Sequence, residues 1–324
     1  MLTEPFSIGG IRIPNRVALA PLAGIGNWFV RLQARRFGAG LVVSEMVSSF
    51  GVHHGNARTT GEMLRVHPEE HPVSLQLFGA DPEVMRSAAE RVAAAGVDLI
   101  DLNMGCPVPK VCKTGAGAAL LQDPDRAVAV ARAAREGSGL PVTVKLRSGA
   151  GPGDRSGVAL SERLVGEAGV AAISFHPRHA AQHHKGTPDY HLAAELVERL
   201  PVPVLISGGL RDAAKVRRVY EDTGAAAVLL ARGVLGNPWL FAQVLGLRDD
   251  DPAPPEILAE LDWVMDRAAE HFGPERAARY VRKFYPWYVD RLGGSKALQQ
   301  RLMTAPTLEA ARGELASLHL LEAA

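Results

Sequence analysis

Cysteine is nearly absent from this chain: two thiols, Cys106 and Cys112, among 324 residues. They lie in one loop, too few and too close for a disulfide framework, so the expected setting is a reducing cytoplasm. They are not in Cys-x-x-Cys spacing and no second pair exists, so no zinc or other metal site is expected. Net charge is also missing. The formal value is +1, so composition alone does not announce a nucleic-acid binder, and any basic surface must be local. No apolar run reaches the length of a membrane span. Met1–Pro14 lacks a basic segment followed by an apolar one, so no export signal is expected. No sustained low-complexity tract or short repeat is found.

What remains is an ordinary globular composition, 47% hydrophobic and 22% charged, long enough for one barrel domain and a smaller appendage. Short β-branched runs recur at Val17–Ala20, Leu41–Ser44, Val73–Leu77, Leu99–Asn103, Val142–Leu146, Ala171–Phe175, Val204–Ser207 and Ala227–Leu230. Helical patterns such as Pro82–Ala95 and Asp123–Arg135 lie between them, and Asp81-Pro82 and Asp123-Pro124 read as helix starts. Eight such units predict a (β/α)8 TIM barrel over residues 1–248. A doubly wound open sheet is the rival, and no Gly-x-Gly-x-x-Gly follows the first run to support it. The acid and proline of Asp249–Pro255 suit a linker. Helical patterns follow at Glu256–Phe272, Pro274–Leu292, Ser295–Ala305 and from Leu308 onward, with Pro286 set to kink or split the second. Residues 249–324 therefore read as a small C-terminal helical bundle.

Chemistry-bearing residues gather at the predicted strand ends. Ser207-Gly208-Gly209 and Ala231-Arg232-Gly233 follow the seventh and eighth runs, where barrels often hold a phosphate on backbone N–H groups. Either loop alone reads equally as a tight turn. Gln76, Lys145 and His176 intrude on the ends of runs three, five and six; each alone could be a locally satisfied polar residue, whereas together they describe one site. Ala20–Gly24 is a small-residue turn after the first run, open to both an ordinary and a ligand-facing reading. Cys106 follows the fourth run, with Asn103 before it and Lys110 and Lys113 after it. Most free cysteines are small buried hydrophobes. An ordinary thiol holds its proton at neutral pH, so one at a strand end also suits a general acid. His53, His54, His67, His71, His183 and His184 read as solvated loop residues. From Arg276 to Arg301, seven basic residues face one acid, Asp290, with five aromatics between them. Arg279, Arg282 and Lys283 fall near one helix face, which suits phosphate contacts or a solvated face over an aromatic core.

The chain resembles the dihydrouridine synthase family, most like its bacterial B branch. The matching segments are Asn15–Gly24, Ser44–Met46, Gln76–Gly79, Asn103–Pro107, Lys110–Leu121, Val144–Arg147 and Gly233–Trp239. The resemblance implies an FMN-dependent oxidoreductase that reduces uridines in tRNA to 5,6-dihydrouridine, with NADPH (or NADH) as reductant. It implies that Pro21, Leu22 and Ala23 line the flavin, that Gln76, Lys145 and His176 contact its ring system, and that Ser207, Gly208, Gly209, Ala231 and Arg232 hold its phosphate. Asn103 would face the uracil. Hydride would pass from flavin N5 to C6, and Cys106 would protonate C5. Lys110, Lys113 and Arg178, with Arg279, Arg282 and Lys283 of the helical bundle, would lie along the tRNA. No stable protein partner is expected. Ser207 stands where the family usually has Asn, Gly209 where Asp is common, Ala231 for a usual Gly, and Pro177 and His179 alter a His-Gly/Ala-Arg-Thr pattern. The competing expectations are an FMN barrel that reduces a free pyrimidine or an enone, and an RNA-binding protein on a barrel with a vestigial site.

Overall fold

The alternation of strand and helix patterns ends in a closed eight-stranded parallel barrel, as the sequence predicts. The computed structural model describes residues 1–322. A two-stranded antiparallel hairpin comes first, β1 (Phe6–Ile8) and β2 (Ile11–Ile13), joined through Gly9-Gly10. The barrel strands follow: β3 (Val17–Leu19), β4 (Leu41–Ser48), β5 (Val73–Phe78), β6 (Leu99–Met104), β7 (Val142–Arg147), β8 (Ala172–His176), β9 (Val204–Ser207) and β10 (Ala227–Leu230). Each pairs with its sequence neighbour, and β10 returns to β3.

Alternate residues of a strand share a face, which layers the barrel interior. The floor is apolar. Ala18, Leu41, Leu99, Ala172, Leu205 and Ala227 pack together, and Ile8 and Ile13 of the hairpin close this layer from below. Two residues further along, the same interior face carries Asp101 on β6 and Ser174 on β8, with Thr143 of β7 in register beside Asp101. Two further still it carries Asn103, Lys145 and His176. Polarity therefore rises toward the carboxyl ends of the strands, where barrels place their chemistry.

The helices are fixed by local signals. Asp81 and Asp123 accept the N–H groups of Val84 and Arg126, and Pro82 and Pro124 open the helices Pro82–Ala94 and Pro124–Ser138. Their buried faces, Met85, Ala88, Ala89 and Val92 on one and Ala127, Val130, Ala131 and Ala134 on the other, repeat at three and four residues. The chain divides into two compact units between Arg232 and Gly233. The helix Leu240–Leu245 and the acid–proline stretch thus belong to the second unit, where Arg248 pairs with Asp250 and Glu256, and Arg291 with Asp251. Helices Pro254–Phe272, Pro274–Tyr280, Tyr285–Arg291, Lys296–Thr304 and Leu308–Glu322 complete it around Leu261, Met265, Val281, Tyr288 and Leu302. Pro286 opens the helix Tyr285–Arg291 rather than bending one, since a first-turn residue needs no N–H. Among the described residues no helix is long and apolar enough to cross a membrane.

Candidate active site

The interior polar layer is a connected hydrogen-bond chain. Asp101 is buried; one carboxylate oxygen accepts from the Thr143 hydroxyl at 2.5 Å and the other from Gln76 Nε2 at 2.6 Å. Gln76 Oε1 accepts from Asn103 Nδ2 at 2.9 Å. Asn103 Oδ1 in turn accepts the backbone N–H groups of Gly105 and Cys106, at 3.3 and 2.9 Å. Burial pushes the Asp101 carboxyl up to about 6, against the opposing pull of Thr143, Gln76 and the Lys145 charge. A bulge in β4 between Val43 and Met46 turns Ser44 toward this layer, and its hydroxyl accepts the Gln76 N–H at 2.9 Å.

Lys145 stands beside Asn103 in the next strand. Burial lowers its ammonium to about 8, Arg147 adds to the drop, and Asp101 and Cys106 oppose it. No carboxylate lies within ion-pair distance of Lys145 among the described residues. Cys106 is partly exposed and near enough to act electrostatically on both Lys145 and Arg147. Its loop is held by backbone: the Cys106 carbonyl accepts Ala118 N–H at 2.9 Å and the Cys112 thiol at 3.4 Å. Arg147, buried, donates from Nε to the Gly105 carbonyl at 2.9 Å and from Nη1 to the His183 carbonyl at 2.8 Å. It ties the cysteine loop to the loop after β8, and burial with the Arg178 charge lowers it to about 10.

The other side of the mouth is cationic. His176 is buried, and its Nε2 lies 3.0 Å from Arg178 Nη1. Burial first, then Lys145, Arg147, Arg178 and His184, hold its imidazole neutral, far below the ordinary histidine range. Since Arg178 can only donate, Nε2 is the acceptor and Nδ1 carries the proton. Arg178, expected along the tRNA, is buried here; it also donates to the Gly186 carbonyl at 2.6 Å, and its Nε has no partner. His184, read from the sequence as a solvated loop residue, stacks near His176 with centroids 6.1 Å apart, and is lowered to about 4 by burial and by Arg232, Arg147 and Arg178. His67 likewise has a packing role, stacked on Trp28 and accepting the Glu69 N–H.

Ser207 is buried at the end of β9, and Gly208 takes φ +109° directly against His176. A Cβ at Gly208 would sit 2.6 Å from the imidazole. Tyr190 donates its hydroxyl to the Gly208 carbonyl at 2.6 Å. Arg232 is exposed after β10, its proton affinity lowered by burial of part of its side chain and by Arg211. Ala231 packs against the barrel floor cluster. On the first strand's side, Leu22 is buried, Pro21 half-buried and Ala23 exposed; Gly24 N–H donates to Glu45 at 2.7 Å.

Lys110 and Lys113 are exposed on the cysteine loop. In the second unit, the three basic residues expected on one helix face do not share a helix. Pro274–Tyr280 ends before a 3-10 turn at Val281–Lys283. Arg282 turns inward to donate to the Ala305 carbonyl, while Lys283 lies over the Tyr280 ring and Arg279 is exposed.

A family model described as dihydrouridine synthase matches residues 18–324. The chain belongs to the dihydrouridine synthase family. It is 36% identical over 294 residues to tRNA-dihydrouridine synthase B of Pseudomonas aeruginosa, covering 89% of this chain and 88% of that one. The tRNA-dihydrouridine synthase B of Xanthomonas campestris is 35% identical over 295 residues, covering 87% and 86%. Among solved structures the barrel resembles morphinone reductase in complex with tetrahydroNAD, with TM-score 0.54, 18% identity and coverage of 79% of this chain and 93% of that one. An old yellow enzyme homologue from Zymomonas mobilis gives TM-score 0.58 and 14% identity, over 76% and 92%. At these identities the structural likeness establishes the fold. Dihydrouridine synthases are oxidoreductases, so the resemblance read from the cysteine loop is borne out and the chain is an enzyme.

In this dihydrouridine synthase, sequence reasoning missed three members of the polar cluster at the barrel mouth. Asp101 and Arg147 each lie two residues from a predicted site residue, Asn103 and Lys145, on the same strand face, so strand alternation was a usable signal for both. His184 had none, because its position depends on the path of a loop.

Proposed function

We propose that this chain reduces uridines of tRNA to 5,6-dihydrouridine in the cytoplasm, with FMN over the carboxyl end of the barrel and NADPH as reductant. The observation that carries this reading is the continuity of the polar chain. Gln76, at the ring end, and Cys106, the assigned acid, are joined through Asn103 by hydrogen bonds of 2.9 Å each. This continuity supports a single site that takes in both the ring-side residues and the thiol loop.

The residues suit an anionic, flat cofactor. Among the described residues Lys145 has no carboxylate at ion-pair distance and the buried Arg178 Nε has no acceptor, and Arg211 and Arg232 add charge near the glycine loop. Gly208 and Gly209, both at positive φ, form a turn without side chains whose backbone N–H groups could meet a phosphate. Bound FMN, once reduced, supplies the hydride for uracil C6. Lys145 would stabilise negative charge at the ring's N1 and O2 edge. Neutral His176 can present Nδ1–H as a donor. Cys106 holds the proton destined for C5, and Asn103 keeps its loop at the mouth. The base must leave its stack to reach this depth, which is cheapest from a tRNA loop. Exposed Lys110, Lys113, Arg279 and Lys283 would meet phosphates; Arg282, directed at Ala305, contributes less.

The deciding experiment is mass mapping of dihydrouridine in tRNA from a deletion strain, together with the absorbance of the purified protein. A yellow protein and a lost modification restored by the gene are expected. A colourless protein, or unchanged dihydrouridine, overturns the reading.

Two further outcomes are expected. Gly208→Ala meets both the His176 ring and an unfavourable φ, a penalty of about 1–3 kcal/mol. It should weaken FMN binding at least tenfold in a fluorescence titration; unchanged affinity would remove this loop from the cradle. Lys145 gives a pH signature. In flavin-free protein burial should bring its ammonium down to about 8, whereas an unfolded lysine titrates at about 10.4. Between these values the unfolded chain binds more protons, so this group makes stability rise with pH across the window, and contributes no slope below it. NMR of the Lys145 side chain should follow a titration near 8 that moves upward when FMN is added. No movement would place the flavin's charge elsewhere.

A further inference from the structure

We infer that Asp101 is a positioning residue for uridine reduction: its carboxylate fixes the direction of the hydrogen-bond chain that runs through Gln76 and Asn103 to the backbone of Cys106. The inference rests on the proposed function and deepens it by naming what aims the acid.

An ionised carboxylate only accepts hydrogen bonds. Facing Asp101 at 2.6 Å, Gln76 must therefore present Nε2. Its other end is then Oε1, which requires Asn103 to present Nδ2. Asn103 is left with Oδ1 toward the N–H groups of Gly105 and Cys106. Each step follows from the one before. The chain is fixed at both ends, by the Asp101 carboxylate and by the backbone N–H groups of Gly105 and Cys106, and the two amides between them are the members that can turn. The Thr143 hydroxyl can donate or accept, and the Met46 sulfur, 3.6 Å from Asn103 Nδ2, is a weak acceptor. Amide side chains have nearly the same shape when flipped. Without the carboxylate, the chain is fixed only from the Cys106 side, Gln76 Nε2 loses its acceptor, and Gln76 is free to turn its nitrogen toward Asn103. Asn103 would then turn its oxygen back, leaving its NH2 against two backbone donors, and the loop carrying Cys106 would have to shift.

The alternative role for Asp101 is a countercharge for Lys145. The hydrogen bonds speak for direction: both carboxylate oxygens are engaged by neutral donors, Thr143 and Gln76, and although Asp101 and Lys145 act on each other through charge, they form no contact ion pair.

Two variants separate these roles. In Asp101→Asn the direction survives, since the amide oxygen can accept from Gln76 while the amide nitrogen donates to the Thr143 hydroxyl. In Asp101→Leu it is lost. The FMN-loaded enzyme is reduced with NADPH, then mixed with unmodified tRNA, and the two half-reactions are timed separately. Asp101→Leu should slow tRNA-dependent reoxidation about 10²-fold, the cost of a displacement near 1 Å, and flavin reduction by much less, through the loosened Gln76 alone. Asp101→Asn should lose far less than the leucine variant in both half-reactions. An asparagine variant as slow as the leucine one would assign charge rather than direction. Normal reoxidation in Asp101→Leu, or an equal loss in both half-reactions, would also overturn the proposal. Where Asp101→Leu fails to fold, Thr143→Val decides: mild alone, it should be severe combined with Asp101→Asn, because the amide then lacks the partner that orients it. Additive effects would refute the chain. A wild-type enzyme whose reduced flavin tRNA does not reoxidise would overturn the proposed function itself, and the positioning role with it.

Discussion

Cys106→Ala is expected to leave FMN bound and to lower dihydrouridine formation by about 10²–10⁴-fold, the range for loss of a general acid. The separation of the two effects follows from how the loop is held. Backbone groups do the holding: Cys106 N–H to Asn103 Oδ1, and the Cys106 carbonyl to Ala118 N–H. Alanine keeps both. The residues assigned to the flavin lie on other strands, so the protein should stay yellow and still accept hydride from NADPH. Only the step that moves a proton to C5 should slow. Cys106→Ser should fall between, since a hydroxyl keeps the geometry but is a far weaker acid. Cys112→Ala is the control, because its thiol donates only to the Cys106 carbonyl at 3.4 Å. The measurement is single-turnover reoxidation of reduced enzyme by tRNA, with mass detection of the product. Full activity in Cys106→Ala would remove the assigned acid.

The barrel was legible because parallel strands are buried on both faces. They read as short apolar runs, and all eight fall within a few residues of their predicted bounds. The hairpin at Phe6–Ile13 went unread although Ile8-Gly9-Gly10-Ile11 is a turn signal; its strands of three residues are too short for periodicity to register. Within the site, residues that interrupt an apolar strand were visible: Gln76, Lys145 and His176 all face the interior as a site requires. What sequence could not supply was tertiary. The resemblance puts Arg178 along the tRNA, yet its side chain folds back onto His176. Arg282 was assigned a helix face, and the 3-10 turn at Val281–Lys283 changes the register on which that assignment depended. Arg31 and Glu70 lie 39 residues apart, and nothing local in either segment announces that they pair.

That pair sets up the second large effect. Glu70→Ala is expected to destabilise the protein by about 3–5 kcal/mol, because it leaves the Arg31 guanidinium buried without its counter-ion. Both side chains are fully buried, with Arg31 Nε 2.5 Å from Glu70 Oε2. Burial raises the Glu70 carboxyl above its ordinary range, and the Arg31 charge opposes that rise. The melting temperature should fall by roughly 10 °C. Glu70→Gln keeps one acceptor oxygen, for the Arg31 Nε or for the His67 N–H but not for both, and should lose less than the alanine variant. The consequence reaches the site through Gly26. Arg31 Nη1 donates to the Gly26 carbonyl at 3.2 Å, the same carbonyl accepts Glu45 N–H, and Glu45 accepts Gly24 N–H. The turn carrying Pro21, Leu22 and Ala23 is therefore anchored to a buried ion pair on its far side. Below its melting temperature, Glu70→Ala should bind FMN more weakly, an effect with no direct contact to explain it. A variant within 1 kcal/mol of wild type would mean that water reaches Arg31; a destabilised variant with unchanged FMN affinity would mean that the turn holds its shape without the anchor.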